Sequence, residues 1–387
     1  MSAPTLDTET VGWLSIRMSK ALHIVSFNVP WPANYGGVID VFYRIKALSE
    51  AGVEIHLHCF TYGRERAAEL EKYCAEVRYY QRNMSFWLQF RQTPFIVESR
   101  RNTQLVNRLL EDNYPILLEG LHCCAILEDR RFAGRLIMVR AHNVESEYYS
   151  LLARSERNPI QKAYLMLEAS KIKRYETILS QAQTVFAISN GDAEQLRTLG
   201  CRNVVLSGAA HPYHHINIQE GMGDYALYQG NLSVPENYLA AQHLVEKIIS
   251  GIGIRLVIAG ANPPKSLVAK AQTAKNVTLV ANPDDATMQR LVADAQVNIL
   301  ITNQPTGIKL KLINALYNGR HCLVNSAMVA GSQFADMCTV ADSDTHLRQA
   351  LTVLMQTSFP SQEVERRRHH LAKFDAAHAV TPIIEQL

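Results

Sequence analysis

Residues 22–60 have the sequence LHIVSFNVPWPANYGGVIDVFYRIKALSEAGVEIHLHCF, and the fold class follows from this stretch. The apolar run at 22–29 predicts a strand, and apolar residues spaced three apart over 38–51 predict a helix. A second apolar run at 55–60 predicts the next strand. Strand, helix and strand in this order form a βαβ unit, which predicts a parallel sheet with a right-handed crossover.

The loop at 30–37 separates the first strand from the helix and is rich in proline and glycine. Gly36 and Gly37 end this loop, so the backbone can approach a ligand closely at the helix N-terminus. An ordinary tight turn would explain the same pair equally well. The loop carries no GxGxxG motif, which argues against a nicotinamide-type Rossmann site.

A second strand–helix stretch, residues 297–320, contains the main candidate for chemistry. The apolar run 297–302 predicts a buried strand, and a helical pattern follows with Gly307 in its first turn. A helix N-terminus beside glycine presents free N–H groups and the positive end of the helix dipole to an anion. Lys309 and Lys311 add two cations there, so the stretch predicts a phosphate site.

The composition is that of a well-packed globular protein. The chain has 387 residues, of which 47% are hydrophobic and 19% charged, and it is long enough for two domains. Lys and Arg number 39 against 36 Asp and Glu, a balance that does not indicate a nucleic-acid partner. The seven cysteines show no CxxC or zinc-ligand spacing, as expected for reduced thiols of a cytosolic protein. No apolar run reaches the ~18 residues needed to span a bilayer.

Two α/β series divide the chain. Residues 1–18 lack the features of a signal peptide and are predicted to be a loose extension. The first domain is predicted over 19–208 and the second over 225–363, with a His- and Gly-rich linker at 209–224 between them. Residues 364–387 are predicted to form closing helices.

Two histidines follow successive strands of the first domain. His122 and His142 come shortly after apolar runs at 115–118 and 136–139. The carboxyl ends of parallel strands form the rim where open α/β sheets bind ligands. The pair therefore indicates a functional rim, although a single histidine is more often structural.

Residues 84–101 combine aromatic and basic side chains. This composition is typical of an interfacial segment that contacts anionic lipid headgroups. The alternative is a helix that packs its rings into the core while its arginines reach solvent. The side chains concerned are Phe86, Trp87, Phe90 and Phe95, with Arg82, Arg91, Arg100 and Arg101 among them.

Taken together, the motifs resemble those of GT-B fold glycosyltransferases of the retaining family 4 type, over nearly the whole chain from about residue 20. The resemblance implies an α/β architecture of two Rossmann-like domains facing a cleft, with the C-terminal helix crossing back to the N-terminal domain. It also implies a nucleotide-sugar donor held mainly by the second domain and an acceptor held by the first. The matching motifs are PANYGG at 32–37, AHNVE at 141–145, YE at 175–176, AIS at 187–189, GNLSVPEN at 230–237, VIAG at 257–260 and GIKLKLINA at 307–315.

The resemblance assigns roles to positions of this chain. Gly36 and Gly37 would approach the diphosphate and the donor sugar, while His122 would lie near the donor sugar and His142 on the acceptor side. Lys309 would act with the helix N-terminus on the departing diphosphate. Further donor contacts would come from Gly230, Asn231, Asn282, Gly307 and Lys311.

The sequence departs from the family pattern at the donor site. The family usually has two glutamates eight positions apart, and here these positions are Thr306 and Asn314. The basic pair that often neutralises the diphosphate is replaced by Asn231 and Asn237. The two lysines at the start of the helix are placed to supply that charge as point charges beside the helix dipole.

The resemblance implies a hexosyltransferase that acts with retention, and we expect it to need neither a metal ion nor a cofactor. The donor would be a nucleotide diphosphate sugar and the acceptor a hydroxyl group of a glycan, which a lipid could carry. No Asp-x-Asp pair lies in a suitable loop, and Asp284 and Asp285 are better explained as a helix cap. The expected location is the cytoplasm, at the inner face of the membrane if residues 84–101 contact lipid.

Two other functions remain open at this stage. A nucleotide-sugar epimerase of the same fold needs carboxylates in the cleft for acid–base work, and their scarcity at the equivalent positions argues against it. A non-catalytic, glycosyltransferase-like partner protein is compatible with the missing glutamate pair.

Overall fold

The computed structural model describes residues 20–156, 158–304 and 309–387, and its strands form two parallel sheets. The first sheet contains β1 (Lys20–Ser26), β2 (Val53–Thr61), β3 (Glu76–Gln81), β4 (Ile116–Glu119), β5 (Ile137–Ala141), β6 (Thr184–Ala187) and β7 (Val204–Leu206). The second contains β8 (Ala226–Gln229), β9 (Leu256–Gly260), β10 (Val277–Ala281), β11 (Val297–Leu300), β12 (His321–Val324) and β13 (Thr339–Val340).

Helices connect these strands. Those that follow strands of the first sheet are α1 (Gly36–Glu50), α2 (Phe95–Glu98), α3 (Thr103–Leu109), α4 (Glu145–Ser155), α5 (Pro159–Tyr175) and α6 (Asn190–Thr198). Those that follow strands of the second are α7 (Pro235–His243), α8 (Lys265–Thr273), α9 (Asp285–Asp294), α10 (Leu310–Asn318), α11 (Ser326–Val329), α12 (Asp344–Leu354), α13 (Ser361–Leu371) and α14 (Ala376–Ile384). Helix α7 continues as a π-helical stretch, Leu244–Ile249.

The strand orders create two crevices. The first sheet runs β3-β2-β1-β4-β5-β6-β7 and the second β10-β9-β8-β11-β12-β13. The order therefore reverses beside β1 and beside β8, and ligands of open α/β sheets bind at such switch points, outside the carboxyl ends of the strands. The predicted parallel sheets, and the βαβ unit at 22–60, are confirmed.

The core forms because each sheet is covered on both faces. Along α1, the side chains of Val41, Ile45 and Leu48 are buried, as their helical spacing predicts. Strand β4 is buried along its whole length, as is usual for a central parallel strand.

The helix of the phosphate-site stretch begins later than predicted. Helix α10 starts at Leu310, and Lys309 is its N-cap residue because its backbone is extended, with φ −90° and ψ 91°. Thr306 and Gly307, the second of which was predicted to lie in the first turn, are outside the described residues. Gly319 ends the helix as predicted. Its hydrogen atom is required there, because a Cβ would lie 2.2 Å from Nδ2 of Asn298.

Residues 84–101 do not form a single buried helix. Phe86, Trp87 and Phe90 lie on a short 3₁₀ helix and are 60%, 76% and 68% exposed, so the core-packing alternative is wrong for these three rings. The core-packing alternative is correct for Phe95, which lies in α2 and is buried. Arg100 is buried as well, so it does not reach solvent.

The chain passes between the sheets twice. Between β7 and β8 it runs through the predicted linker, and after α13 it returns so that α14 packs against α1. Ala379, Val380 and Ile383 of α14 belong to the core of the first sheet, as the predicted return of the C-terminal helix requires. The two passages touch, since His211 donates a 2.7 Å hydrogen bond from Nε2 to the carbonyl oxygen of Phe374.

Candidate active site in the cleft

A cavity of about 1070 Å³ lies between the carboxyl ends of the two sheets. The loop after β1 contributes Tyr35 and Gly36, and the linker contributes Tyr213 and His214. The remaining wall comes from the loops after β8, β9 and β10, the N-terminus of α7, helix α9 and the start of α10. The cavity is thus formed by the switch points of both sheets.

The structure brings together only part of the predicted site. The predicted residues that line the cavity are Gly36, Gly230, Asn231, Lys309, Lys311 and Asn314. Those that do not line it are Gly37, His122, His142 and Asn282.

Lys309 and Lys311 place two cations in the cavity wall, which Arg290 also lines. Lys311 donates a 3.0 Å hydrogen bond from Nζ to Oδ1 of Asn237, and its Nζ lies 5.3 Å from the centre of the Tyr228 ring. Burial lowers the pKa of Lys311 to about 8, although the charge of Glu236 acts in the opposite direction. Burial likewise lowers the pKa of Lys309. An anion in the cavity would favour the charged form of both.

Glu236 is a site residue that the sequence did not single out. It lies in the first turn of α7, lines the cavity and accepts a hydrogen bond on Oε1 from Oγ1 of Thr302. Its carboxylate raises the pKa of both Lys309 and Lys311 against the effect of burial. The signal was present in the GNLSVPEN motif, where a glutamate follows the proline that starts the helix.

The loop after β8 is held rigidly by its own side chains. Asn231 Oδ1 accepts hydrogen bonds from the backbone N–H and the Oγ of Ser233, at 3.1 and 2.7 Å. Asn237 Nδ2 donates to the carbonyl oxygen of Asn231 at 2.9 Å. Gly260, at the end of β9, allows the loop to approach, because a Cβ there would lie 1.8 Å from the carbonyl oxygen of Gly230.

Asn314 and Asn282 are both engaged within the second domain. Asn314 is buried, and its Oδ1 accepts a 2.9 Å hydrogen bond from Nδ2 of Asn318 one turn along α10. Asn282 adopts a positive φ of 51° after β10, and its Oδ1 accepts from the backbone N–H of Asn262 at 2.7 Å. Its side chain therefore joins two strand ends, and its neighbour Pro283 lines the cavity.

His142 is fixed between two carboxylates. Its Nε2 lies 2.8 Å from Oε2 of Glu119, and its Nδ1 lies 3.4 Å from Oδ2 of Asp40. Asp40 also accepts from Arg44 Nη2 at 2.6 Å and is flanked by Arg140. Burial alone would raise the pKa of Asp40, but the two guanidinium groups and His142 hold it below its usual range. This buried network orients the ring behind the cleft wall.

His122 is held neutral. Its ring lies 5.4 Å from that of Phe27, and its buried Nδ1 has no hydrogen-bond partner among the described residues. Burial, followed by the charge of Arg100, lowers the pKa of His122 well below its usual value. The left-handed Gly120 (φ 80°) precedes it, and a Cβ at that position would lie 3.0 Å from the unpaired nitrogen.

The chain was compared with protein-family models, with curated proteins and with solved structures. No protein-family model matches the chain. An uncharacterized 44.6 kDa protein in the cps region of Klebsiella pneumoniae is 25% identical over 328 residues, which cover 78% of this chain and 81% of that protein.

Solved structures match nearly the whole chain. The apo form of the lipopolysaccharide outer core galactosyltransferase WaaB superposes with a TM-score of 0.62 at 13% identity, covering 95% of this chain and 100% of that one. The UDP-forming α,α-trehalose-phosphate synthase of Burkholderia xenovorans, in complex with glucose-6-phosphate, gives 0.61 at 11% identity, covering 95% and 99%. The chain has the GT-B fold. A trehalose-6-phosphate structure from E. coli with UDP-2-fluoro glucose gives 0.61 at 12% identity, covering 95% and 98%.

In this GT-B chain the two walls of the cleft differ in chemistry. The second domain supplies Lys309 and Lys311, a glycine-containing loop and the carboxylates of Glu236, Asp285 and Asp294. Such a wall can bind a diphosphate and stabilise its charge as it departs. Within residues 20–156, 158–304 and 309–387, no cluster of three His, Cys, Asp or Glu side chains is arranged to hold a metal ion. No helix of that part has the length and apolar character to cross a membrane.

Proposed function

We propose that the protein is a glycosyltransferase that moves a hexose from a nucleotide diphosphate sugar to a hydroxyl group of a glycan acceptor. The observation that carries this proposal is the position of Lys309 and Lys311 at the switch-point cavity of a GT-B fold. The solved relatives support the donor class, because one is described as bound with UDP-2-fluoro glucose and another as UDP-forming.

The proposed reaction breaks the bond between the anomeric carbon and the β-phosphate oxygen, and the nucleotide diphosphate leaves with the bonding electron pair. Lys309, Lys311 and the backbone N–H groups at the start of α10 stabilise the charge that develops on the phosphate. The leaving phosphate oxygen takes the proton of the attacking hydroxyl on the same face of the sugar, which gives retention. No metal ion or cofactor is needed in this scheme, because the lysines supply the positive charge.

The two histidines have different proposed roles in this reaction. The neutral His122 offers Nδ1 as a hydrogen-bond acceptor for a hydroxyl of the donor sugar. His142 is oriented by Asp40 and Glu119 and supports the acceptor side of the wall. Gly36 and Gly37 keep the loop after β1 close to the donor.

A panel of nucleotide sugars, each incubated with and without glycan acceptors, tests the function. Release of nucleotide diphosphate that depends on the acceptor supports transfer. Isomerisation of a donor without acceptor would instead identify an epimerase, and the proposal would be wrong. Nucleotide binding without either reaction would also contradict it and would favour a non-catalytic partner protein.

We further propose that the protein contacts a membrane through Phe86, Trp87 and Phe90 and that its acceptor is lipid-linked. The three exposed rings contact one another, with centroids 5.3 to 6.1 Å apart. Such rings are suited to the interface between headgroups and acyl chains. Arg100 and Arg101 take no part in this contact, since the first is buried and the second pairs with Glu98.

If Phe86, Trp87 and Phe90 contact a membrane, replacing them should weaken the binding of the protein to liposomes. Replacing all three by serine should weaken partitioning into anionic liposomes by at least about tenfold, because each buried ring is worth roughly 1.5–3 kcal/mol. The measurement is liposome co-sedimentation. Val353→Ser, which changes another exposed apolar residue on α12, is the matched control. Equal partitioning of the parent and the triple variant would contradict the proposal.

A further inference from the structure

Two arginines at the carboxyl edge of the first sheet have no carboxylate partner. Arg82 follows β3, and Arg100 follows α2. Among the described residues, neither forms an ion pair with Asp or Glu, whereas the adjacent Arg101 pairs with Glu98 and Glu128. The positive charge of Arg82 and Arg100 is therefore not neutralised within the described part of the chain.

Arg100 is the more buried of the two, with 7% of its surface exposed. Its Nε donates to the carbonyl oxygen of Phe27 at 2.9 Å and its Nη1 to that of Ile96 at 2.6 Å. These bonds use two of the five N–H groups of the guanidinium. Burial, reinforced by the charge of Arg82, lowers the pKa of Arg100 to about 10. A buried cation is costly without a counter-charge, so the arrangement favours an anion as the missing partner.

Arg82 is positioned beside Arg100 by the backbone between them. Its Nε donates to Oγ of Ser99 at 2.8 Å, and the backbone N–H of Asn83 donates to the Ser99 carbonyl at 2.9 Å. Its guanidinium lies 4.9 Å from the ring centre of Tyr62 and 5.2 Å from that of Phe95. The rings fix the direction of the guanidinium without neutralising it.

A neighbouring buried carboxyl group, that of Glu145, carries only part of its negative charge at neutral pH. Glu145 is close enough for the charge of Arg100 to lower its pKa, but burial and the charge of Glu176 outweigh this and raise that pKa to about 7. An anionic ligand beside Arg100 would therefore meet only weak repulsion from Glu145.

The arginine pair lies near the first-domain side of the cleft, although neither side chain lines the cleft cavity itself. Phe27, whose carbonyl oxygen holds Arg100, has its ring 5.4 Å from that of His122 and 5.5 Å from that of His142. Nδ1 of His122, which is buried without a hydrogen-bond partner among the described residues, lies on the same side of Phe27 as the cleft. Tyr35, which lines the cavity, is also within the electrostatic reach of Arg100.

We propose that Arg82 and Arg100 bind a phosphate group of the acceptor, so that the acceptor is a phosphate ester or diphosphate. This inference rests on the proposed function, which makes the first domain the acceptor side. A phosphate ester carries about −1.5 to −2 charges at neutral pH, which matches two guanidinium groups, whereas a single carboxylate would leave one cation unbalanced. The planar guanidinium also suits two-point binding of phosphate oxygens.

Titration of the full-length chain with inorganic phosphate tests the site directly. The Lys309→Ala/Lys311→Ala variant serves as the background, because it removes the other proposed phosphate site. We expect this background to bind phosphate, and Arg82→Gln added to it to weaken binding by at least about tenfold. Arg91→Gln, which changes an exposed arginine of the same segment, is the matched control and should leave the affinity unchanged.

Arg82→Lys guards against a purely structural effect of the substitution, since it keeps the charge and should retain part of the phosphate affinity. Unchanged affinity in Arg82→Gln would overturn the proposal. Acetate binding as tight as phosphate binding would also overturn it, by identifying a carboxylate site.

Two further probes separate the sources of the phosphate. Phosphatidylcholine vesicles with and without phosphatidic acid test for a lipid phosphate, and glucose 6-phosphate tests for a soluble sugar phosphate. Binding of either probe that Arg82→Gln weakens supports the proposal and assigns the source, while binding of neither overturns it.

The test is also separable from the proposed function. If UDP and other nucleotide diphosphates fail to bind while the phosphate result holds, the donor assignment fails and the anion site stands. If nucleotides bind and phosphate does not bind at Arg82, only the present inference fails.

Discussion

Lys309 lies at the start of α10, where the field of Glu236 and the cost of burial act on its ammonium group in opposite directions. An incoming diphosphate would add to the effect of Glu236. We therefore expect Lys309→Ala to lower turnover by about 10²-fold or more, as for other groups that stabilise developing charge. The free energy of unfolding should change by less than about 1 kcal/mol, because removal of the buried ammonium group also removes the cost of its desolvation.

Steady-state kinetics and urea unfolding of the same preparations separate the two effects of Lys309→Ala. Lys265→Ala, at the exposed start of α8, is the matched control and should leave both quantities unchanged. A parental rate for Lys309→Ala with its normal donor would remove the residue from the site.

Gly260 allows the loop after β8, which is proposed to bind the donor, to pack closely against the end of β9. In Gly260→Ala the new Cβ would collide with the carbonyl oxygen of Gly230, so the loop or the strand must shift. We expect a loss of about 1–3 kcal/mol of unfolding free energy and weaker binding of nucleotide diphosphates. Calorimetric titration and thermal unfolding measure both. Gly253→Ala is the control, since nothing lies within 4 Å of its Cβ position, and parental behaviour of Gly260→Ala would contradict the role of this contact.

At the residue level, the sequence indicated the basic residues of the cavity but not the acidic residues that interact with the site. Lys309 and Lys311 stand out because they follow a strand and a glycine. The sequence did not identify Asp40, Glu119 and Glu236 as site residues, because an acidic residue on a helix or at a strand end is normally predicted to be solvent-exposed. Their significance comes from side chains that meet across distant elements, such as His142 between β4 and α1, which local patterns do not encode.

At the element level, the apolar runs predicted the central strands and three of the four edge strands, β7, β10 and β13. Strand β3, EVRYYQ, was missed because it lies at the edge of the sheet, where charged and half-exposed residues break the apolar run. The start of α10 was predicted too early, with Lys309 in the first turn, because helical periodicity does not mark the capping residue. Asp284 was predicted correctly as a cap, and its Oδ1 accepts from the backbone N–H of Thr287 at 2.7 Å.

Helix α4 begins with a carboxyl group whose pKa predicts a pH effect. Burial, followed by the charge of Glu176, raises the pKa of Glu145 from 4.5 to about 7. Between these values the unfolded chain is ionised while the folded one keeps its proton. The stabilising contribution is therefore complete below about pH 4.5 and is lost as pH rises through about 7.

Replacing Glu145 by glutamine should remove this dependence. We expect Glu145→Gln to gain stability relative to the parent at about pH 8, by at most about 3 kcal/mol, and to gain little at about pH 5. Urea unfolding at both pH values measures the difference. Glu147→Gln, on the same turn but exposed, is the control. Equal pH dependence of the parent and Glu145→Gln would show that the carboxyl titrates normally.

At the scale of the whole molecule, the two passages between the domains meet at His211. Burial lowers the pKa of His211 to about 4, although the hydrogen bond to the Phe374 carbonyl acts in the opposite direction. The folded chain thus keeps this ring neutral while the unfolded chain protonates it near pH 6.5. Its contribution to stability is present above about 6.5 and is lost as pH falls towards about 4.

The effect of His211 on stability at acidic pH can be measured directly. The unfolding free energy of the parent should fall below about pH 6.5, and His211→Gln should reduce that slope by up to about 1.4 kcal/mol per pH unit. Glutamine can still donate to the Phe374 carbonyl. His346→Gln, exposed on α12, should leave the slope unchanged. An identical slope in His211→Gln and the parent would contradict the assignment.

The overall architecture could be predicted because the order of motifs along the chain reflects the order of βα units, and the fold comparison confirms it. The cleft itself could be predicted only in outline. Tyr35, Tyr213 and Lys309 reach the same cavity from three separate parts of the chain, and only the packing of the two domains brings them together.

Helix α14 is synthesised last but packs into the first domain, so the first domain cannot complete its folding in the order in which the chain is made. Leu371 closes the core of the second domain, whereas Ala379, Val380 and Ile383 are still needed by the first. During translation the domain made first must therefore wait for residues made after its neighbour is complete. Until then its nascent core remains open beside α1, and ribosome-bound chains that stop before residue 376 should engage chaperones through the first domain.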